Sequence, residues 1–293
     1  MSYLLLILTT LFWSGNFVLG RGMHTEIPPF SLSFWRWVVA LGILCLFAAK
    51  HLYSQRLLAQ HHLRFIIIQG LLGVAGFNTL IYLAIQTTTA INAVLITSCI
   101  PVLIVVCSWV MYREVMTLRR YLGVVVSLGG VVLIIAHGQV DYLLNLSFNP
   151  GDLYVFAAAL TWALYSSNLR NYPKELHPLA YQTGIVISGL IIMTPFYLIE
   201  LCTVGGFRVS AASLSTILYL ALFASVLAFI FWNRAVRTIG ANRAGPFIHL
   251  MPVFSTVLAV IFLGETIQGY HLQGVGLIFA GIAMTTIKLR RAK

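Results

Sequence analysis

Ten apolar stretches, each near the ~20 residues that carry an α-helix across a bilayer, follow one another along the chain. They cover 3–20, 30–49, 65–86, 92–112, 121–137, 153–169, 179–200, 213–233, 244–263 and 272–287. The longest connectors, 50–64 and 138–152, hold about fifteen residues and leave no room for a soluble domain. Composition agrees: 60% of the 293 residues are hydrophobic and 9% are charged, against ~25% charged in soluble domains. That excludes an ordinary soluble enzyme, a disordered chain and a disulfide scaffold. The expected fold class is an all-α membrane protein with ten transmembrane helices.

The chain carries 18 Lys+Arg against 7 Asp+Glu. In a soluble protein that excess would suggest nucleic acid; here it reads as topology charge. With ten spans, both termini share a side with the loops near 50–64, 113–120, 170–174 and 234–243. That side, with the C-terminal tail, holds 15 of the 18 cations, and the opposite side holds Arg21 and Arg208. Both termini are therefore expected in the cytoplasm. Residues 1–20 lack a basic n-region and a small-x-small cleavage site, so they read as a span and not a signal peptide.

The two halves of the sequence match at fixed offsets. At 151, Pro101 and Val102 meet Pro252 and Val253, Glu114 meets Glu265, Gly123 meets Gly274, and Gly130 meets Gly281. At 149, Leu11 meets Leu160, Trp13 meets Trp162, Arg21 meets Arg170 and Pro29 meets Pro178. Chance likeness between apolar helices would not pair Pro with Pro and Glu with Glu at equal spacing. Two five-helix repeats are expected, 1–145 and 146–293. An odd helix count makes the second enter the membrane from the opposite side, and the charges agree: three arginines flank Glu114 and none flanks Glu265. Inverted repeats let two halves rock about a central site and expose it to each side in turn.

Leu11-Phe12-Trp13-Ser14-Gly15-Asn16-Phe17 resembles the first-span motif of the EamA family in the drug/metabolite transporter (DMT) superfamily. Arg36 is similar to that family's span-two arginine. Pro252-Val253-Phe254, running to Phe262-Leu263-Gly264-Glu265 and on to Gln273-Gly274 and Gly281, resembles its closing signature, and 101–134 carry a looser copy. The resemblance implies ten helices in two inverted five-helix repeats around a central cavity. It also implies export of small metabolites, often amino acids, across a bacterial inner membrane. The second first-span motif departs from the pattern, since Thr161-Trp162-Ala163-Leu164-Tyr165 lacks the glycine.

Polar groups deep in a bilayer are costly and face the bundle interior. Arg36, between Trp35 and Trp37, is the charged residue well inside a span. It can hold a solute carboxylate in a bidentate fork or tie down carbonyls of a neighbouring helix. Pro101 and Pro252 lie near mid-span and should each free a carbonyl four residues earlier, on Thr97 and Ile248. Ser98 and His249 stand three residues before each proline; His249 can touch solute or take a proton, or simply pack. Trp13 with Asn16, Trp162 with Tyr165, and Asn78 with Tyr82 share helix faces and suit an aromatic cavity with a few amides. Trp232 and Asn233 close the eighth stretch, where an interfacial belt is expected of Trp232. Glu114 and Glu265 sit at span ends and read as structural carboxylates.

No metal-ligand spacing, zinc-protease motif or in-span Asp pair points to an enzyme or a cofactor. The expected partners are a small-molecule substrate and the lipid bilayer, with no nucleic acid. Small-xxx-small pairs at Gly123/Ser127 and Gly276/Ala280 allow close helix contact, within a chain or in a homodimer. An exporter of amino acids or related carboxylates is the leading reading, and broad efflux of lipophilic drugs is the alternative.

Overall fold

The computed structural model describes residues 1–23, 26–84, 86–147, 149–263 and 267–287. Long helical segments follow one another with short turns: α1 (Ser2–Gly22), α2 (Pro29–Ser54), α3 (Leu63–Ala84), α4 (Ala90–Thr97, then Ile100–Tyr112), α5 (Leu118–Ile135), α6 (Pro150–Asn168), α7 (Pro178–Thr203), α8 (Ala211–Ile239), α9 (Gly245–His249, then Leu250–Leu263) and α10 (Gly269–Thr286). Among the described residues, six are long and apolar enough to cross a membrane: α2, α3, Asn92–Tyr112 of α4, α5, α7 and α8. Leu46, Phe47, Ile191 and Ile261 are largely exposed. Such side chains would be a liability in water and are an ordinary lipid-facing surface in a bilayer.

The helix starts follow from local chemistry. Pro29, Pro150 and Pro178 open α2, α6 and α7, where the missing N–H costs nothing. Asn149 and Asp152 form a capping box on α6. Asp152 also accepts from Thr88 and, at 3.0 Å, from Asn92, which fastens the α3–α4 turn to the start of α6. At the far end of α7, the buried Glu200 carboxylate accepts from the backbone N–H groups of Phe30 at 3.0 Å and Ser31 at 2.6 Å. It thereby caps α2 from a different helix.

Glycines set the tightest seam, between α5 and α10. A Cβ on Gly123 would lie 2.7 Å from the Gly281 carbonyl oxygen, and one on Gly130 would lie 2.5 Å from that of Gly274. Numbering rises along one helix as it falls along the other, so the two run antiparallel. The small pair expected at Gly276/Ala280 does not serve this seam, for a Cβ on Gly276 would meet nothing within 4 Å among the described residues. The reason is helical phase: Gly274, Ile278, Gly281 and Thr285 share the buried face, and a residue two positions from Gly274 points the other way.

The remaining packing alternates between the halves of the sequence. α2 lies along α7, α1 against α8 and α9, and α6 against α3 and α4. Two features interrupt helical regularity in both halves. α3 and α8 each contain a π-helical turn, Gly70–Gly76 and Leu220–Leu227. α4 breaks at Ser98 and Cys99, ahead of Pro101, and α9 begins as a 3₁₀ segment, Gly245–His249, ahead of Pro252. The freed backbone faces the protein interior, where a membrane protein tolerates it.

Candidate functional site

Arg36 is the centre of the best-formed site. Its side chain is 1% exposed. Nε donates to Ser225 Oγ at 2.9 Å, while Nη1 donates toward Tyr82 Oη at 3.1 Å, Asn78 Oδ1 at 3.2 Å and Asn16 Oδ1 at 3.3 Å. The guanidinium lies 5.3 Å from the centre of the Trp37 ring, a cation–π distance. Every oxygen around it is neutral. Among the described residues the one ion pair joins Arg170 to Glu114 at 3.6 Å, at the exposed end of α4. Nη2 has no hydrogen-bond partner among the described residues. A buried cation without a counter-charge is expensive, and among the described residues this one is held by neutral oxygens and the Trp37 ring.

The π-helical turns build its surroundings. A π turn leaves carbonyls out of the regular i→i+4 ladder. Asn78 Nδ2 donates to two carbonyls of the first π turn, Gly73 O at 3.4 Å and Val74 O at 3.2 Å, and its Oδ1 accepts from Arg36. Ser225, inside the other π turn, donates to Leu220 O at 2.8 Å, which leaves its lone pairs for Arg36 Nε.

Arg36, Asn16 and Asn78 line a cavity of about 370 Å³, within the usual size of a small-molecule site. Trp13, Trp162, Phe77, Phe229 and Met251 form its apolar wall; Ser98, Ser255 and Thr256 add hydroxyls. It reaches His137 and His271, at the end of the bundle where α5 stops and α10 starts. A second cavity of about 1000 Å³ opens at the opposite end, among Glu114, Arg170, Lys174, Arg234 and Arg237. A layer of rings lies between the two. Trp162 packs 5.0 Å from Trp13, 5.1 Å from Tyr165, 5.4 Å from Phe229 and 5.7 Å from Trp232.

The singled-out residues therefore divide. Trp13, Asn16, Arg36, Asn78, Ser98, Trp162 and Pro252 line the first cavity, with Tyr82 one hydrogen bond behind it. Tyr165 is fully buried in the ring layer and donates to Asn233 Oδ1 at 2.7 Å. His249 is turned away from the lining, with its ring nitrogens 2.7 Å from Ser127 Oγ and 2.9 Å from Ser98 O. Pro101 is buried at the start of the second half of α4, against Gly245. Glu114 lines the second cavity and pairs with Arg170. Glu265 lies outside the described residues.

Trp232 corrects the belt expectation. It is fully buried and donates to Ser166 Oγ at 3.2 Å. α8 runs on to Ile239, so Trp232 sits well inside the helix and not at its rim. The sequence reading also missed Ser225 and Phe229. The signal was available: on α8 the residues 225, 229, 232 and 233 share one face at helical spacing.

The long apolar helices are those of a multi-pass membrane protein, and the comparisons place the chain further. The EamA-like transporter family model matches residues 1–136 and again 149–287. The chain belongs to that family. It is 26% identical over 294 residues to the uncharacterized transporter YyaM of Bacillus subtilis (strain 168), covering 99% of this chain and 95% of that one. An uncharacterized transporter of Archaeoglobus fulgidus is 27% identical over 301 residues, covering 98% of both chains. A protein of known crystal structure shares the fold with a TM-score of 0.79 at 20% identity, over 97% of this chain and 96% of that one.

Proposed function

We propose that this transporter exports amino acids or related carboxylate-bearing solutes across the inner membrane, by alternating access around the Arg36 cavity. The observation that carries the substrate class is the guanidinium itself. It is buried, faces a small aromatic cavity, and meets no carboxylate among the described residues. A solute carboxylate supplies the missing charge through a charge-assisted hydrogen bond, and the rings take its apolar part.

The architecture that goes with this is ten spans in two inverted repeats, 1–145 and 146–293, with both termini in the cytoplasm. The double family match, the antiparallel contact of Gly123 with Gly281 and of Gly130 with Gly274, and the paired π turns support it. The segregation of Lys and Arg supports the orientation. On that orientation the Arg36 cavity faces outward and the larger basic cavity faces the cytoplasm.

Counterflow tests the reading. Purified protein in liposomes is loaded with pooled amino acids, and uptake of each radiolabelled amino acid is followed. Saturable counterflow that Arg36→Ala abolishes supports it. Counterflow of a hydrophobic cation, with equal loss of amino acid and cation on Arg36→Ala, would move the assignment to broad efflux of lipophilic drugs.

A further inference from the structure

The larger cavity ends in a polar chain with an open end. Tyr165 Oη donates to Asn233 Oδ1 at 2.7 Å, and Asn233 Nδ2 donates to Gln182 Oε1 at 3.1 Å. Gln182 is 1% exposed and its Nε2 has no hydrogen-bond partner among the described residues. As the amides are placed, each oxygen in this chain accepts and each N–H points onward. What remains at its end is an N–H donor, buried and unanswered, on a residue that lines the cavity floor. Leaving such a donor without an acceptor costs about 1–3 kcal/mol, and native proteins seldom do so without a use for the group.

The rim supplies charge of the matching kind. Lys174, Arg234 and Arg237 line the cavity and are exposed. None of them forms an ion pair among the described residues; the Glu114 carboxylate is paired with Arg170. Arg237 lies over Tyr172, 3.4 Å from the ring centre, which holds the guanidinium in place. A basic, low-dielectric mouth concentrates anions, and the neutral floor can then accept one without a second buried cation.

The placement echoes the Arg36 site. There, Asn16 on α1, Arg36 on α2 and Asn78 on α3 meet Ser225 from α8. Here, Tyr165 on α6, Gln182 on α7 and Asn233 on α8 meet Gln69 from α3, through Tyr181 and the Tyr165 carbonyl. The ring layer around Trp162 lies between the two.

We propose that Gln182 and Asn233, under the rim of Lys174, Arg234 and Arg237, form a second anion subsite that takes the carboxylate of a small solute on the far side of the ring layer from Arg36. This rests on the carboxylate reading of the transporter and adds an entry site to it. The subsite is charge-neutral at its floor, so it releases its anion more readily than Arg36 does, as an entry station should.

The test uses the full-length protein in detergent, where both cavities meet solvent, and radiolabelled benzoate as the probe in equilibrium dialysis. Two binding classes are expected. Gln182→Leu should weaken one class at least about tenfold, by loss of a hydrogen bond to a charged group, and leave the other. Arg36→Ala should do the reverse. Lys174→Ala with Arg237→Ala changes exposed side chains; it should weaken the same class as Gln182→Leu and reduce its salt dependence. A single class, lost in Arg36→Ala and unchanged in Gln182→Leu and in the rim variant, overturns the subsite and leaves the Arg36 reading standing. A single class lost only in Gln182→Leu and the rim variant supports the subsite and overturns the Arg36 reading. No binding to any form overturns both.

Discussion

Gly281→Ala isolates what holds the α5–α10 seam. A Cβ at this position would lie 2.4 Å from the Gly123 carbonyl oxygen and 2.6 Å from the Ser127 backbone nitrogen. A carbon–oxygen contact relaxes near ~3.3 Å, so the helices must part by roughly 0.9 Å there. Both obstacles are backbone and cannot swing aside. A gap of that size forfeits a quarter to a half of the dispersion well for each contact along the seam. The expected cost is ~1–3 kcal/mol, the usual range for overpacking. Gly276→Ala is the internal control. It lies on the same helix, where an added Cβ would meet nothing within 4 Å among the described residues, and alanine there gains up to ~1 kcal/mol of helix propensity over glycine. Thermal unfolding in detergent should therefore rank Gly276→Ala at or above wild type and Gly281→Ala below both. The reverse order, or equal melting of the two variants, would refute the seam as the source of the packing energy.

Arg36→Lys keeps the charge but loses the planar fork; amino-acid counterflow should fall short of wild type yet exceed Arg36→Ala, and equality with wild type would show that charge alone suffices. Glu200→Ala removes a carboxylate that accepts from two backbone N–H groups and the Ser31 hydroxyl; a loss of ~1–3 kcal/mol is expected, and an unchanged Tm would mean that solvent caps α2 equally well. His177 caps the start of α7 and stacks on His51 with ring centres 3.6 Å apart. Partial burial, and then the neighbouring His51, hold its pKa below the ordinary histidine value. The neutral form is thus the one the fold prefers, so stability is full above about pH 6.5 and declines as pH falls below it. His177→Asn keeps a capping side chain without a titrating one, and its Tm should drop less than wild type between neutral and mildly acid pH; parallel curves would assign the decline to other groups.

The long apolar stretches and the intramembrane arginine were legible because each is a strong local signal. A charge in mid-span has few structural readings, so Arg36 could be singled out without coordinates. The π turns could not. They register as one residue too many per turn, which leaves no compositional mark beyond the glycines at 70, 73 and 76. They also decide which way Asn78 and Ser225 point, so the ring of acceptors around Arg36 was only half visible. Gln182 escaped notice for a different reason: four residues into α7, a polar side chain is unremarkable by position. Only its burial and its empty donor mark it out. Trp232 was misjudged because an apolar window ends where charge begins, whereas α8 continues through Arg234 and Arg237 to Ile239.

His249 makes a contact whose chemistry can be worked from the acceptors alone. Ser98 O, at 2.9 Å from Nε2, is a carbonyl and can only accept, so Nε2 carries the hydrogen. In the neutral ring Nδ1 is then an acceptor, and the Ser127 hydroxyl 2.7 Å away must donate to it. If the ring takes a second proton, Nδ1 donates instead and Ser127 turns its hydrogen to Val124 O, 3.0 Å away. Both protonation states keep all their hydrogen bonds, and the difference between them is one hydroxyl rotation. The contact also joins the break in α4 to the 3₁₀ start of α9, the two places where a rocking half would bend. Nitrogen NMR of protein labelled at histidine should find the neutral His249 ring protonated at Nε2 and bare at Nδ1. Ser127→Ala removes the donor to Nδ1 of the neutral ring, so it should lower Tm. A proton on Nδ1 of the neutral ring would show that Ser98 is not the contact that sets this ring, and an unchanged Tm would show that Ser127 does not hold it.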